Sequence, residues 1–288
     1  MKQDKNLTLK EILVLAIQNH QKNNINIAQG LYKQVLDKDP NNILTLNNLG
    51  VIYQGLKKYR IAKEYYEKVI KINPNNAEAS NNLGGIFQVL KEHQKAKKYF
   101  EKAIEIKPNY TDAHNKLGVI FQELKEDQKA INCYKQAIQI NPNYEDAHLN
   151  LGLIFKKLGE DQKAINYYKQ AIKINPNNAE VYNNLGVIFQ ELSEYTIAKK
   201  YFKKAIEIDP NFTDAYCNTG IIYRLLGNLE KAKNYLEKSF KKDLNNEVYL
   251  GAYGNLLLKM NNHSNGLKFL TKSDGVIRFS QSNFIIKK

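Results

Sequence analysis

Every proline in this 288-residue sequence stands 34 residues from the next: Pro40, Pro74, Pro108, Pro142, Pro176 and Pro210. Glycines climb by the same step, from Gly50 through Gly84, Gly118, Gly152, Gly186 and Gly220 to Gly254. Length alone would allow one or two globular domains. Two interleaved ladders of one period instead describe stacked copies of a single supersecondary unit, each burying a face it cannot bury alone.

Numbered from 1, with the first unit starting at Leu9, a unit shows two helical halves. In the third copy, Ser80, Leu83, Gly84 and Phe87 occupy positions 4, 7, 8 and 11, the i, i+3, i+4, i+7 spacing of one helix face. Ala96, Phe100, Ala103 and Ile104 at positions 20, 24, 27 and 28 repeat that spacing in the second half. Each unit is therefore predicted to be a pair of antiparallel helices, and the fold class all-α. A glycine inside a helix costs roughly 1 kcal/mol against alanine. Its recurrence at position 8, with alanine at 20, calls for a close approach of helix axes, at the short end of roughly 8–10 Å. Proline at position 32 ends the second helix and biases Asn73, Asn141, Asn175 and Asp209 before it towards extended backbone. Thr111 and Thr213 are the best-placed caps for the helices that follow.

Leu-Gly at 7–8, Tyr or Phe at 11, Ala at 20, Tyr or Phe at 24, Ala at 27 and Pro at 32 resemble the tetratricopeptide pattern. The fourth copy reads Leu117, Gly118, Phe121, Ala130, Tyr134, Ala137 and Pro142. The resemblance implies an α-solenoid with repeats at 9–42, 43–76, 77–110, 111–144, 145–178, 179–212 and 213–246. A degenerate eighth at 247–280 keeps Gly254, Leu257, Met260, Gly266 and Leu270 in frame, and 281–288 match nothing. The family's usual Trp at position 4 is absent, and the seventh repeat has Leu244 where Pro belongs. Terminal units that depart from the pattern are expected of a solenoid, because its ends must shield apolar faces.

Composition agrees with a folded soluble chain, 43% hydrophobic, with no apolar run near the roughly 20 residues of a membrane span. Ile12–Ile17 is too short for a signal peptide, Glu11 abuts it and no cleavage site follows. Cys133 and Cys217 lie far apart without metal-ligand spacing, which suits a reducing compartment; the expected location is cytoplasmic.

Nothing in the sequence assembles a reaction centre. Gly84-Gly85 lies inside a helix and makes no phosphate loop. His114 and His148 share position 4 on successive first helices, about 10 Å apart, too far to ligate one metal easily. No Ser, His and Asp or Cys and His set has a reason to converge. The expectation is a binding protein without enzymatic activity, cofactor or metal.

In the tetratricopeptide family the first helix of each unit lines the inner surface of a right-handed superhelix, and the resemblance implies that positions 2, 5, 6, 9, 12 and 13 face the ligand. Position 6 holds Asn48, Asn82, Asn150, Asn184 and Asn218, broken by Lys116, and position 5 adds Asn47, Asn81, Asn115 and Asn183. Position 2 is acidic, with Glu78, Asp112, Asp146, Glu180 and Asp214; position 12 gives Gln54, Gln88, Gln122 and Gln190. An amide both donates and accepts, so a ladder of amides can pair with the backbone of an extended peptide. First-turn acids also gain about 0.3–1 kcal/mol from the helix dipole, with or without a ligand. Asn at 6 with Asp at 2 resembles the repeat region of O-linked N-acetylglucosamine transferases, which implies a substrate-docking module as an alternative role. The basic clamp by which other members hold chaperone C-terminal carboxylates is missing, because position 2 is acidic and position 5 is Asn.

The net charge of +14 raises an RNA or polyanion reading. Over the six ligand-facing positions, however, six bases (Lys10, Lys116, Lys156, Lys157, Arg224, Lys259) meet seven acids (Glu78, Asp112, Glu123, Asp146, Glu180, Glu191, Asp214). The basic excess falls on second helices and turns, among core aromatics and away from any free stacking platform. The expected partners are other proteins, held through extended segments, with nucleic acid disfavoured and no membrane.

Overall fold

The computed structural model describes residues 7–274 and the backbones of 277–279 and 284–286. It divides into two compact units, Met1–Ala147 and His148–Lys288. Among the described residues sixteen helices run in pairs: α1 Leu9–Gln21 and α2 Ile25–Lys38, α3 Ile43–Gly55 and α4 Tyr59–Ile72, α5 Ala77–Val89 and α6 His93–Ile106, α7 Thr111–Glu123 and α8 Asp127–Ile140. The series continues with α9 Glu145–Lys157 and α10 Asp161–Ile174, α11 Ala179–Glu191 and α12 Tyr195–Ile208, α13 Thr213–Leu225 and α14 Leu229–Lys242, α15 Glu247–Lys259 and α16 His263–Asp274. In the first unit α2 packs on α3, α4 on α5 and α6 on α7; in the second, α10 packs on α11, α12 on α13 and α14 on α15.

The helices sit where their side chains fit. Alanines at position 20, from Ala28 to Ala232, are fully buried. Tyr66, Phe100, Tyr134, Tyr168 and Phe202 at position 24 are equally buried and lie directly against the position-8 glycines. Burying one such ring contributes about 1.5–3 kcal/mol, and the glycine makes room for it. A second aromatic register was not anticipated: rings at positions 11 and 23 of one repeat stack face to face. Tyr53 with Tyr65, Phe87 with Tyr99, Phe155 with Tyr167 and Phe189 with Tyr201 have centroids 5.4–5.5 Å apart and planes within 12° of parallel. Leu15, at position 7 of the first repeat, is 38% exposed where Leu49, Leu83 and Leu151 are fully buried, because no earlier helix pair covers it among the described residues.

Helix ends follow local chemistry. Asn73, Asn141, Asn175 and Asp209 before the prolines are extended (φ −123° to −133°, ψ 94° to 97°), as expected. Each also accepts, through Oδ1, the N–H two residues on, at 2.8–3.1 Å. That turn survives without proline: Asp243, before Leu244, is at φ −141°, ψ 97° and accepts from Asn245 N–H at 3.1 Å. The capping expectation is corrected. Thr111 and Thr213 are the first helical residues, and Tyr110 and Phe212 stand at the caps without a side-chain bond. The caps are asparagines at position 34: Asn42, Asn76, Asn178 and Asn246 accept the N–H three residues on at 2.8–3.2 Å.

The span read as an eighth repeat ends differently from its fellows. Its second helix stops at Asp274, and β1 Ile277–Phe279 pairs antiparallel with β2 Phe284–Ile286, with Arg278 opposite Ile285. No helix among the described residues is long and apolar enough to cross a membrane.

Candidate groove on the first helices

The odd-numbered helices carry the amides, and their two rows behave differently. At position 5, Asn47, Asn81, Asn115 and Asn183 are 2–7% exposed. Asn81 Nδ2 donates to Asp112 Oδ2 in the next repeat at 2.9 Å, and Asn183 Oδ1 accepts from Asn218 Nδ2 at 3.0 Å. Asn81 and Asn183 stitch neighbouring repeats together, and all four position-5 side chains are buried, unlike the open row that the sequence pattern led one to expect. Position 6 lies one residue further round the helix, so Asn48, Asn82, Asn150, Asn184 and Asn218 are only half-buried. Lys116, the break in that row, lies down on Asp112 at 2.7 Å, one helical turn away.

The position-2 acids divide likewise. Asp112 accepts from Asn81, from Lys116 and, at 3.2 Å, from the Tyr144 hydroxyl. Asp214 accepts from Tyr249 Oη at 2.6 Å. Burial, reinforced by these neighbouring carboxylates, pushes both phenols above their ordinary range. Asp146 differs: partial burial first, then Glu145 and Asp112, raise its carboxyl pKa. Glu78 and Glu180 are exposed.

At position 12 the hydroxyls of buried Tyr66 and Tyr134 donate to Gln54, at 3.1 Å, and to Gln122. Phe100 and Phe202 replace those tyrosines in the third and sixth repeats, so Gln88 and Gln190 receive no such bond. Gln190 Oε1 is sealed from solvent without a partner, as is Asn184 Nδ2. Lys156 pairs with Glu191 and, at 3.8 Å, with Asp161.

Each unit also exposes aliphatic residues on its first helices. In the first unit Val51 at position 9 is 40% exposed and Val89 at position 13 is 51% exposed; in the second, Leu153 at position 9 is 39% and Leu225 at position 13 is 40% exposed. Their signal was available: aliphatic residues recur at position 9, off the buried 4-7-8-11 stripe. Lysines of the second helices lie over rings of the first, with Lys95 over Phe87, Lys97 over Phe121 and Lys163 over Phe155 at 5.1–5.3 Å.

Other reactive groups are subdued. Burial pushes the Cys133 thiol up to about 11 and the Cys217 thiol up to about 12, leaving both protonated at neutral pH. His114 Nε2 lies 2.8 Å from the Pro108 carbonyl oxygen. Among the described residues no group of three or more His, Cys, Asp or Glu could hold a metal ion.

Family comparisons agree with this architecture. Tetratricopeptide repeat models match residues 43–76, 77–110 and 179–212, and a second one matches 201–234. A TPR repeat model matches 120–159 and 153–193. No curated protein matches the chain. Among solved structures it is similar to MamA, at 31% identity over 57% of this chain and 96% of that one, TM-score 0.51. PilF of Pseudomonas aeruginosa aligns at 20% identity over 74% of this chain and 96% of its own, TM-score 0.66. YrrB, described as a TPR protein with an unusual peptide-binding site, aligns at 24% identity over 66% and 98%, TM-score 0.54. At those identities the last two show the fold alone. The ladders, the glycine–ring packing and the matched models together place the chain in the tetratricopeptide repeat family, whose helix-pair stacks serve as protein-interaction scaffolds.

Proposed function

We propose that the chain holds an extended segment of another protein along the face of its first helices and carries out no chemistry itself. The observation behind this reading is the juxtaposition of half-exposed amides at position 6 with exposed aliphatics at positions 9 and 13. Amides suit the donors and acceptors of a peptide backbone, and the aliphatics suit its side chains. An interface of this kind, polar contacts beside apolar ones, buries surface without leaving backbone groups unpaired. The likeness to YrrB supports peptide binding as a mode open to this architecture.

A polyanion on the lysines of the second helices is the competing reading. Against it, Lys95, Lys97 and Lys163 lie over aromatic rings, and the same rings are stacked or buried and offer nothing to a nucleobase. The resemblance to transferase docking regions asks for a separate catalytic partner, and glycosyltransferase activity in purified complexes would favour it.

Photo-crosslinking decides between faces. A benzoylphenylalanine at position 48 or 82 should trap partner protein in native extract, and one at position 98, on an exposed second-helix site, should not. Crosslinks from position 98 alone would show that the ligand lies on the other side.

A further inference from the structure

Arg224 occupies position 12 of the seventh repeat, in the last turn of α13, on the face proposed for peptide. The chain uses arginine only three times, at 60, 224 and 278. Nothing inside the repeat accounts for this one. In the second and fourth repeats position 12 is a glutamine that takes a hydroxyl from the tyrosine at position 24; here position 24 is Leu236, which has none. No carboxylate pairs with Arg224 among the described residues, although Lys156, two repeats earlier at the same position, is neutralised by Glu191. The Arg224 side chain is half-buried and its Nε is sealed from solvent without a partner.

A guanidinium cannot shed its proton at physiological pH, so burial leaves the charge in place and uncompensated. Burial lowers the Arg224 pKa, and no neighbouring acid opposes the shift. A second cation joins it: Lys259 Nζ donates to the Arg224 main-chain carbonyl oxygen at 3.4 Å, which sets the ammonium against the helix turn that carries Arg224. Lys259 likewise has no carboxylate partner among the described residues. Leu225, the next residue of α13, is 40% exposed and leaves an apolar side chain on the same helix turn.

We propose that Arg224 and Lys259 form a subsite for the carboxylate side chain of an Asp or Glu in the bound peptide. The subsite rests on the groove reading and adds a sequence preference to it. The guanidinium fork matches a carboxylate with two parallel N–H bonds, and Lys259 contributes a point charge. Amides at position 6 would hold backbone of any sequence; this corner would choose among sequences.

The test selects a library of random linear peptides on the full chain and on the Arg224→Gln and Arg224→Lys variants. Peptides taken by the native chain should share an Asp or Glu at one place. Arg224→Gln should take the same flanking residues without it, and Arg224→Lys should keep the acid with weaker discrimination. Changing that Asp to Asn in a synthetic peptide should cost about tenfold in affinity for the native chain and nothing for Arg224→Gln. Arg224→Gln should melt no lower than the native chain, since it removes an uncompensated charge. A lower melting point would mark Arg224 as a structural strut and overturn the subsite. So would an acid preference that persists in Arg224→Gln, or native peptides that bind the groove without any acid. Failure of all three chains to select a peptide would remove the groove reading itself, and the subsite with it.

Discussion

Gly84 lies so close to the ring of Phe100 that a Cβ built on the glycine would stand 2.7 Å from both Cδ1 and Cε1. Gly85, the next residue, faces almost open space, with Gln54 Nε2 at 3.9 Å its nearest neighbour. One of two adjacent glycines is therefore a packing requirement and the other is not. The same contact recurs from Gly50 against Tyr66 to Gly186 against Phe202, and Leu236 and Leu270 take the ring's place against Gly220 and Gly254, so the glycine ladder records side-chain volume on the partner helix.

Alanine at the two sites should move stability in opposite directions. Gly84→Ala gains about 1 kcal/mol of helix propensity but must displace a fully buried ring, at about 1–3 kcal/mol. Its melting temperature should fall, whereas Gly85→Ala should keep the propensity gain and melt higher. Equal shifts in thermal melts of the two variants would contradict the close contact.

The contrast between these neighbours also marks how much was legible in the sequence. The period located the helices, because position 8 can be small for one reason only, and position 24 is large in the same repeats. Caps were misplaced because Asn42, Asn76, Asn178 and Asn246 precede the apolar pattern and look like loop residues, while Thr111 and Thr213 sit at its edge. Positions 5 and 6 could not be told apart. Both are asparagine in several repeats, and only the offset between successive helix pairs aims Asn81 at Asp112 and leaves Asn82 half-exposed. The β1–β2 ribbon is three residues a side, too short to show an alternating pattern.

The turns inside the helix pairs give a second test. Lys57, Lys91 and Lys125 hold φ of 57°, 57° and 61°, and Gly159 and Gly227 take the same place at 73° and 80°. Left-handed backbone costs a residue with a Cβ about 1 kcal/mol, which glycine avoids. Lys91→Gly and Lys125→Gly should each raise stability by up to about 1 kcal/mol, and Gly227→Ala should lower it by a similar amount. Denaturant midpoints measure all three, and a loss at Lys91→Gly would point to a role for the lysine beyond the turn.

Asp112 should prove structural. It satisfies Asn81, Lys116 and Tyr144 together, so Asp112→Ala strands a buried amide and a phenol at about 1–3 kcal/mol. Glu78→Ala, at the same position one repeat earlier but exposed, should stay within about 0.5–1 kcal/mol. Chemical denaturation of the two variants side by side would expose the reading as wrong if Glu78→Ala were the costlier.

Asp146 should behave in the opposite sense to an acid that anchors a fold. Its folded pKa lies above the unfolded value, so at neutral pH the folded chain carries a carboxylate that the unfolded chain holds more easily. That cost is fully present above the folded pKa and disappears below the unfolded one, near about 4. Asp146→Asn should therefore stabilise the chain at pH 7, with the gain shrinking as pH falls towards that value. A gain that is constant with pH would trace to something other than the charge.

The two amide rows should separate binding from folding. Asn48, Asn82 and Asn184 are half-buried on the first helices, and Asn184 Nδ2 has no hydrogen-bond partner among the described residues. If they pair with ligand backbone, each contributes about 0.5–1.5 kcal/mol, so changing all three to Ala should weaken a bound peptide roughly tenfold or more. The same change replaces poor helix formers with the best one, so the free chain should melt no lower. Asn81→Ala and Asn183→Ala should do the reverse, lowering stability by about 1–3 kcal/mol through the stranded Asp112 and Asn218 contacts. Their effect on peptide affinity should be small wherever the chain remains folded. Calorimetric titration alongside thermal melts reads both quantities. If the triple variant binds peptide as the native chain does, the position-6 row takes no part in recognition. If it unfolds, those amides are supports like their neighbours at position 5.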